Sequence, residues 1–400
     1  MANRYNKPAQ STLRRAVSAL FIVALASSSV ACNQLQSDPV TLIKEFRIVA
    51  IRAEPPYIAG PGVPGTSFGT PTEFTPLVVD HGDTGKLCYA WRLCPFAWTK
   101  DGNYRCIDPS LEVDLGTGPT AKATALDVFS ALENVEKVAE KIGLNIGPSK
   151  DAEGKDRNSG LGDQVESALG LQVSVLFMIG KPSLWGGTCP KTSAEMLNDV
   201  CPKRAGCIAG YTKVALATSP KHLNESPTFD GLKLDGVAWP AHVTPTIRHV
   251  DDAPQVGGGP NPDAAELGVE IEPLYDAKKS MEVIRPAQNG QPAVTETLTM
   301  SWYSDNGVFR YSKTSDRVWK NRFLPARPGE NFDEDASKDE VPASVWIVIR
   351  DNRNGLDWAS RNVKVSINAP KNVHPLCAID DKLKGCADID PATGKPKAKN

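Results

Sequence analysis

The chain has 400 residues, with 45 Lys+Arg against 47 Asp+Glu and a formal net charge of −2. That balance excludes a strongly basic nucleic-acid binder, and the length allows two domains. Gly and Pro number 32 each and Met only five, which argues for many turns and long loops over a helical bundle.

Residues 1–31 read as a signal peptide. Arg4, Lys7, Arg14 and Arg15 come first, with no acid, then an apolar run from Ala16 to Ala26, then Ser27, Ser28 and Ser29. The run has 11 residues, well short of the about 20 a spanning helix needs. The segment Ser29-Val30-Ala31-Cys32 allows simple cleavage after Ala31. It also resembles the lipobox of bacterial lipoproteins, which implies cleavage before Cys32, acylation of its thiol, and anchoring in a membrane. Asn33 then implies, by the same resemblance, sorting to the outer membrane. Cysteine arithmetic agrees: nine cysteines cannot all pair, but setting Cys32 aside leaves eight that can. The alternative is a soluble periplasmic or secreted protein with a spare thiol. With the four leader cations removed, 41 Lys+Arg face 47 acids, a net of about −6.

Residues 32–43 read as a tether behind the lipidated cysteine. A first domain is expected over 44–218. FRIVAIRAEPP (46–56), EFTPLVVD (73–80) and LCYAWRL (87–93) are its opening strands, with Trp91 facing the core. Residues 107–170 read as a helical insertion. Within it TALDVFSALENVEKVAEKIG (124–143) predicts a helix capped by Thr124 and Asp127, its core face carrying Leu126, Phe129, Leu132, Val135, Val138 and Ile142. LQVSVLFMIG (171–180) predicts a strand buried on both faces. A loop with three cysteines follows over 182–210, and YTKVALA (211–217) closes the unit. Residues 219–227 read as a linker.

A second domain over 228–370 repeats the first. EFTPLV (73–78) is echoed by VEIEPLY (269–275), LCYAW (87–91) by LTMSW (298–302), SVLFMIG (174–180) by SVWIVIR (344–350), and TKVAL (212–216) by VKVSI (363–367). The four matches keep one order, and Trp91 aligns with Trp302. From Trp to the Ser-Val strand is 83 residues in the first copy and 42 in the second, a difference the insertion accounts for. Asn306-Gly307 and Asn354-Gly355 supply turn signals. Residues 371–400 read as a disulfide loop with a polar, disordered tail. The expected fold is therefore mainly β, two tandem immunoglobulin-like sandwiches, the first with a helical insertion and cysteine-rich loops. RAEPP (52–56), WRLCP (91–95), NESP (224–227) and VWIVIRDNRNGLDW (345–358) resemble segments of outer-membrane lipoproteins of myxobacteria and their relatives. The resemblance implies immunoglobulin-like domains on a lipid anchor and implies no activity.

Among the eight expected disulfide cysteines, Cys94 with Cys106 and Cys377 with Cys386 close short loops. Cys88 is expected to reach one of Cys189, Cys201 and Cys207; which one stays open. There is no C-x-x-C and no histidine at ligand spacing from a cysteine pair, so no metal or other cofactor is expected. Gly65-Thr66-Ser67-Phe68-Gly69 fits the nucleophile-elbow pattern, but Pro61, Pro64 and Pro71 surround it and a strand follows. Asp351, Asn354 and Asp357 invite a calcium reading, yet Arg353 occupies a ligand position; an Asx-type turn is the plainer reading. No catalytic residue is assigned. Trp98, Tyr104 and Trp185 lie in the cysteine loops and are candidates for contact with a partner or glycan. The expected role is binding or scaffolding at the cell envelope, with the membrane and an envelope protein or glycan as partners. An exported hydrolase or a small-ligand binder is the alternative.

Overall fold

The computed structural model describes residues 41–80, 85–98, 104–134, 138, 149–150, 156–157, 171–197, 201, 206–250, 268–285, 293–315, 318–330, 337–390, 393–395 and 397. The leader, Cys32 and most of the expected tether lie outside them. The N-terminal half carries β1 (Arg47–Glu54), β2 (Tyr57–Ala59), β3 (Thr72–Val79), β4 (Cys88–Cys94), β5 (Ala97–Trp98), β6 (Arg105–Cys106), β7 (Val113–Gly116) and β8 (Ala121–Ala123). It continues with β9 (Ser149–Lys150), β10 (Asp156–Arg157), β11 (Leu171–Gly180) and β12 (Cys207–Ala217). The C-terminal half carries β13 (Gly231–Leu234), β14 (Val237–Trp239), β15 (Thr246–Arg248), β16 (Val269–Leu274), β17 (Val283–Arg285) and β18 (Val294–Thr295). Then come β19 (Thr299–Ser304), β20 (Val308–Phe309), β21 (Lys313–Ser315), β22 (Asn321–Leu324), β23 (Glu340–Arg350) and β24 (Leu356–Ser366). Among the described residues the α-helices are α1 (Ala125–Leu132), α2 (Ser193–Leu197) and α3 (Ala277–Ser280).

The long strands form where β-branched and aromatic residues alternate. In β23, Val341, Ala343, Val345, Ile347 and Ile349 point one way and are buried together. Two sheets face each other in each half, a mainly β, sandwich-like arrangement. In the first half a β1-β3-β8 sheet faces a β2-β12-β11-β4-β7 sheet; in the second, β14-β13-β16-β22-β20 faces β15-β24-β23-β19-β21. β2 runs parallel to β12 and β15 parallel to β24, as mirrored edge strands. The four echoed segments fall on β3 and β16, β4 and β19, β11 and β23, and β12 and β24. Each pair holds the same place in its sheet.

Trp91 and Trp302 are fully buried in the two inter-sheet cores. Each indole finds an acceptor: Trp91 Nε1 donates to Gly118 O at 2.9 Å and Trp302 Nε1 to Thr314 Oγ1 at 2.9 Å. Fully burying a large apolar side chain stabilises by about 1.5–3 kcal/mol, and the satisfied indoles lose little of it. Gly210 faces Phe177 across the β11–β12 pair, where a Cβ would stand 2.6 Å from the ring.

The halves share a third core. Ile43, Val49, Ala50 and Val79 pack with Val348 and Leu356, and Leu77, Tyr303, Trp346 and Trp358 surround them. The outer face of β1-β3-β8 thus lies against the outer face of the β23–β24 sheet. Arg52 pairs with Asp357 at 3.0 Å and its guanidinium lies 4.6 Å from the Trp358 ring centroid. Arg350 Nη2 donates to Val49 O at 3.2 Å.

Several expectations are corrected. The first part of the expected insertion 107–170 is not an interruption, because β7 pairs with β4 and β8 with β3. Helix α1 starts with the expected capping box at Thr124 and Asp127. Of its expected core face, Phe129 and Leu132 pack partly buried against the first core and Val138 is buried, but Leu126 is 58% exposed and the buried positions within the helix are Ala125, Val128 and Ala131. Small side chains let the helix approach β4 and β7 closely, so the face turns toward them. Val135 and residues 139–143 lie outside the described residues. The expected linker 219–227 is not loose: Asn224 is buried and bonded to the turn between β23 and β24. The end of the expected tether, residues 41–43, is likewise buried in the fold. Nor is the end of the chain a free tail through residue 397. Leu376 and Ile389 enter the second core, and Lys397 N donates to Asp388 O at 2.8 Å.

Candidate functional site

β4, β11 and β12 present a second face, away from the Trp91 core. Cys88, Ala90, Arg92 and Cys94 alternate onto it from β4. Leu176 and Met178 come from β11, and Cys207, Ala209, Tyr211 and Lys213 from β12. That face is covered by loops bonded to it. Cys88 pairs with Cys189, Cys201 with Cys207, and Cys94 with Cys106. Cys377 pairs with Cys386 at the other end of the chain. The two short closures are as expected, and Cys189 is the partner of Cys88 that spacing left open.

Met178 and Ala90 of the sheet pack with Met196 from the covering loop and with the first two disulfides, and Trp185 lies against them. Trp185 is half-buried and its ring sits over Gly180, where a Cβ would come within 2.9 Å. Of the three expected contact residues, Trp185 therefore packs its loop onto the sheet. Tyr104 packs beside the Cys94–Cys106 bridge with Leu111 and Leu176. Its ring lies 5.9 Å from that of Tyr211, which is 37% exposed. Trp98 pairs with Arg105 in the short β5–β6 hairpin; its side chain lies outside the described residues. Tyr211 is the residue that sequence reasoning missed. The alternation of YTKVALA placed it one step from the buried Val214 register, a signal that it faces outward. Beneath the loops, Arg92 pairs with Glu112, both largely buried, and Arg92 Nε donates to Ser193 Oγ at 3.4 Å. This surface has the exposed Tyr211 beside the half-buried Tyr104 on a cross-linked base, and cations at Arg105 and Lys213. It is equipped to hold a partner by stacking and hydrogen bonding.

A buried polar junction lies elsewhere, where the Asp351 turn meets residues 223–225. Asp351 Oδ1 accepts from Arg353 N at 2.7 Å and Gly355 N at 2.8 Å, and its Oδ2 accepts from Asn224 Nδ2 at 3.0 Å. That is the Asx-type turn, with Asn354 at φ 77° on its tip. The Arg353 guanidinium supplies the positive charge there. Its Nη1 donates to Glu282 Oε2 at 2.7 Å and to Glu296 Oε1 at 3.3 Å, and its Nη2 donates to Leu223 O. Burial pushes the Glu296 and Asp351 carboxyls above their ordinary range, and burial together with Glu225 raises the Tyr57 hydroxyl. Asn354 Nδ2 reaches Gln172 Oε1 at 3.1 Å, tying the turn to β11. The arrangement holds the fold together rather than offering a reactive group.

The G-x-S-x-G segment is an exposed loop in which Ser67 Oγ faces Thr70 Oγ1 at 3.3 Å, and β3 follows it. Among the described residues, no group of three or more His, Cys, Asp or Glu is placed to hold a metal ion. His374 is buried, with Nε2 3.0 Å from Leu234 O and Nδ1 accepting from Leu376 N at 3.3 Å. Among the described residues no helix is long and apolar enough to cross a membrane.

No protein-family model matches the chain, and no curated protein matches it. The chain is similar to the crystal structure of Drosophila N-cadherin EC1-4, at 8% sequence identity and a TM-score of 0.18. The match covers 79% of this chain and 49% of that one, so the chain spans about half the length of that structure. A likeness this weak carries no argument.

Proposed function

We propose that the chain is an exported, lipid-anchored protein of the bacterial outer membrane, acylated at Cys32, with a binding or scaffolding role and no catalysis of its own. Its two halves are read as immunoglobulin-like domains, 44–218 and 228–370. The shared strand order and the parallel edge strands β2 and β15 support that reading. Four disulfides suit an oxidising compartment. One observation carries the functional reading: three of the bridges fasten loops to one sheet face, on which the Tyr104 and Tyr211 rings lie together. Loops on a rigid base are the usual carriers of recognition. The partner is an envelope protein or glycan.

The test is photo-crosslinking in intact cells, with a photoreactive side chain at Tyr211 or, as reference, at Lys233 on the charged outer face of β13. A discrete adduct from position 211 alone is expected. Equal adducts from both positions, or none from 211, would overturn the assignment. A glycan array then separates a sugar partner from a protein one.

A further inference from the structure

We propose that the corner of the C-terminal half over the buried dock at Thr41, Ser304 and Val308, with Tyr311 exposed on it, faces the membrane, and that the stapled loops of the N-terminal half are held clear of it. This rests on the anchored reading above, in which Cys32 carries the acyl chains.

Residues 41–43 are stitched to the half that lies later in sequence. Ile43 N donates to Ser304 O at 2.7 Å and Ser304 N donates to Thr41 O at 2.8 Å, framing a parallel bridge between Leu42 and Ser304. Leu42 is buried among Val250, Val308 and Leu324. Ile43 enters the core shared by the halves. The chain between the acylated residue and this dock is only 33–40. Those eight residues reach at most about 28 Å when fully extended. A compact body of about 360 residues has a radius of gyration near 21 Å and is roughly 50 Å across. The leash is shorter than the body, so the dock stays beside the lipid and the far side cannot take its place.

The chemistry at the corner fits that neighbour. Three residues beyond Val308, Tyr311 is 44% exposed, and the Arg310 guanidinium lies 5.3 Å from its ring centroid. An exposed tyrosine with a cation beside it suits the headgroup level of a bilayer. The stapled face belongs to a different layer. From the β19 sheet that carries Ser304, the order is the shared core, the β1-β3-β8 sheet, the Trp91 core, and then the stapled sheet. At roughly 10 Å per sheet, that puts the face about 20 Å further along the stack.

The test uses the mature acylated protein in phosphatidylethanolamine–phosphatidylglycerol vesicles whose headgroups carry a nitroxide quencher. A bioorthogonal fluorophore is placed at the exposed Arg327, two residues past Pro325, whose carbonyl accepts from Val250 N. A second protein carries it at Lys213 on the stapled face. Quenching severalfold stronger at position 327 is expected. Equal quenching, or stronger quenching at 213, would overturn the placement even when the protein floats with the vesicles. Inserting about twenty Gly and Ser residues after Gln36 raises the leash's extended reach to about 100 Å, beyond the body's width, and should erase the difference without changing flotation. A difference that survives the spacer contradicts the leash argument. Failure to float at all overturns the anchored reading itself, and this placement with it.

Discussion

The sheet containing β4, β11 and β12 and the sheet containing β19, β23 and β24 have the same strand order, and both carry apolar residues on both faces. They differ in what covers the outer face. Over Trp346, Val348 and Leu356 it is the other half of the molecule, through Val49, Ala50 and Val79. Over Ala90, Leu176 and Met178 it is the chain's own loops, which are fastened by disulfides. An apolar sheet face must be covered. A neighbouring sheet does this by packing; a loop too small to have its own core needs cross-links. One covering is therefore internal structure. The other is a cross-linked covering with Tyr211 exposed beside it.

The comparison can be broken at either covering. The largest effect is expected from Cys88→Ser with Cys189→Ser, which removes a bridge spanning 101 residues. Loop-closure entropy puts the loss at about 4–5 kcal/mol, read by denaturant unfolding. Arg353→Met should cost about 3–4 kcal/mol at neutral pH, since it leaves the fully buried Glu296 carboxylate without its cation. Burial already raises the Glu296 carboxyl in the native state, so that state binds the extra proton. Stability of the variant should therefore recover as pH falls from neutrality toward about 4.5. A deficit that does not shrink on acidification would contradict the assignment.

Smaller effects sharpen the contrast. Val348→Ala, fully buried between the halves, should cost about 2–3 kcal/mol. It should also loosen hydrogen exchange in β1 before the stapled loops. Cys201→Ser with Cys207→Ser opens a loop of sequence separation 6 and should cost only about 2 kcal/mol. Equal losses from the two cysteine pairs would argue against the entropic account. Burial lowers the His374 pKa, so its neutral form belongs to the native state and the unfolded chain takes the proton first. Protection of the 374–389 segment should fall as pH drops below about 6.5 and level off below the depressed native value. The smallest change is Tyr211→Ala, within about 0.5 kcal/mol in stability, with loss of the partner in chemical cross-linking of intact cells.

The strands most legible in the sequence are those whose alternation and tryptophans repeat, because burial on one face imposes a period of two. Short disulfide closures were legible for a similar reason: Cys94 and Cys106 flank a segment too short and polar to do much else. Strands β7 and β8 were not, since VDLG and AKA carry almost no apolar period and owe their pairing to β4 and β3. The face of α1 was misjudged because counting large residues favours Leu126, while close packing against a sheet favours Ala125 and Ala131. Asn224 and Thr41 sit in polar stretches that resemble linkers. Their burial depends on partners at Asp351 and Ser304, far along the chain. Tyr211 was overlooked for the complementary reason: its environment is made by Tyr104, on a loop held there by the Cys94–Cys106 bridge and the packing around it.

The intact mass of the mature protein extracted from membranes, taken before and after reduction, tests the central claim most directly. The account predicts a chain beginning at Cys32 with acyl chains attached, gaining eight hydrogens on reduction of its four bridges. An unacylated mass with a titratable free thiol would contradict the anchored, cross-linked envelope protein described above.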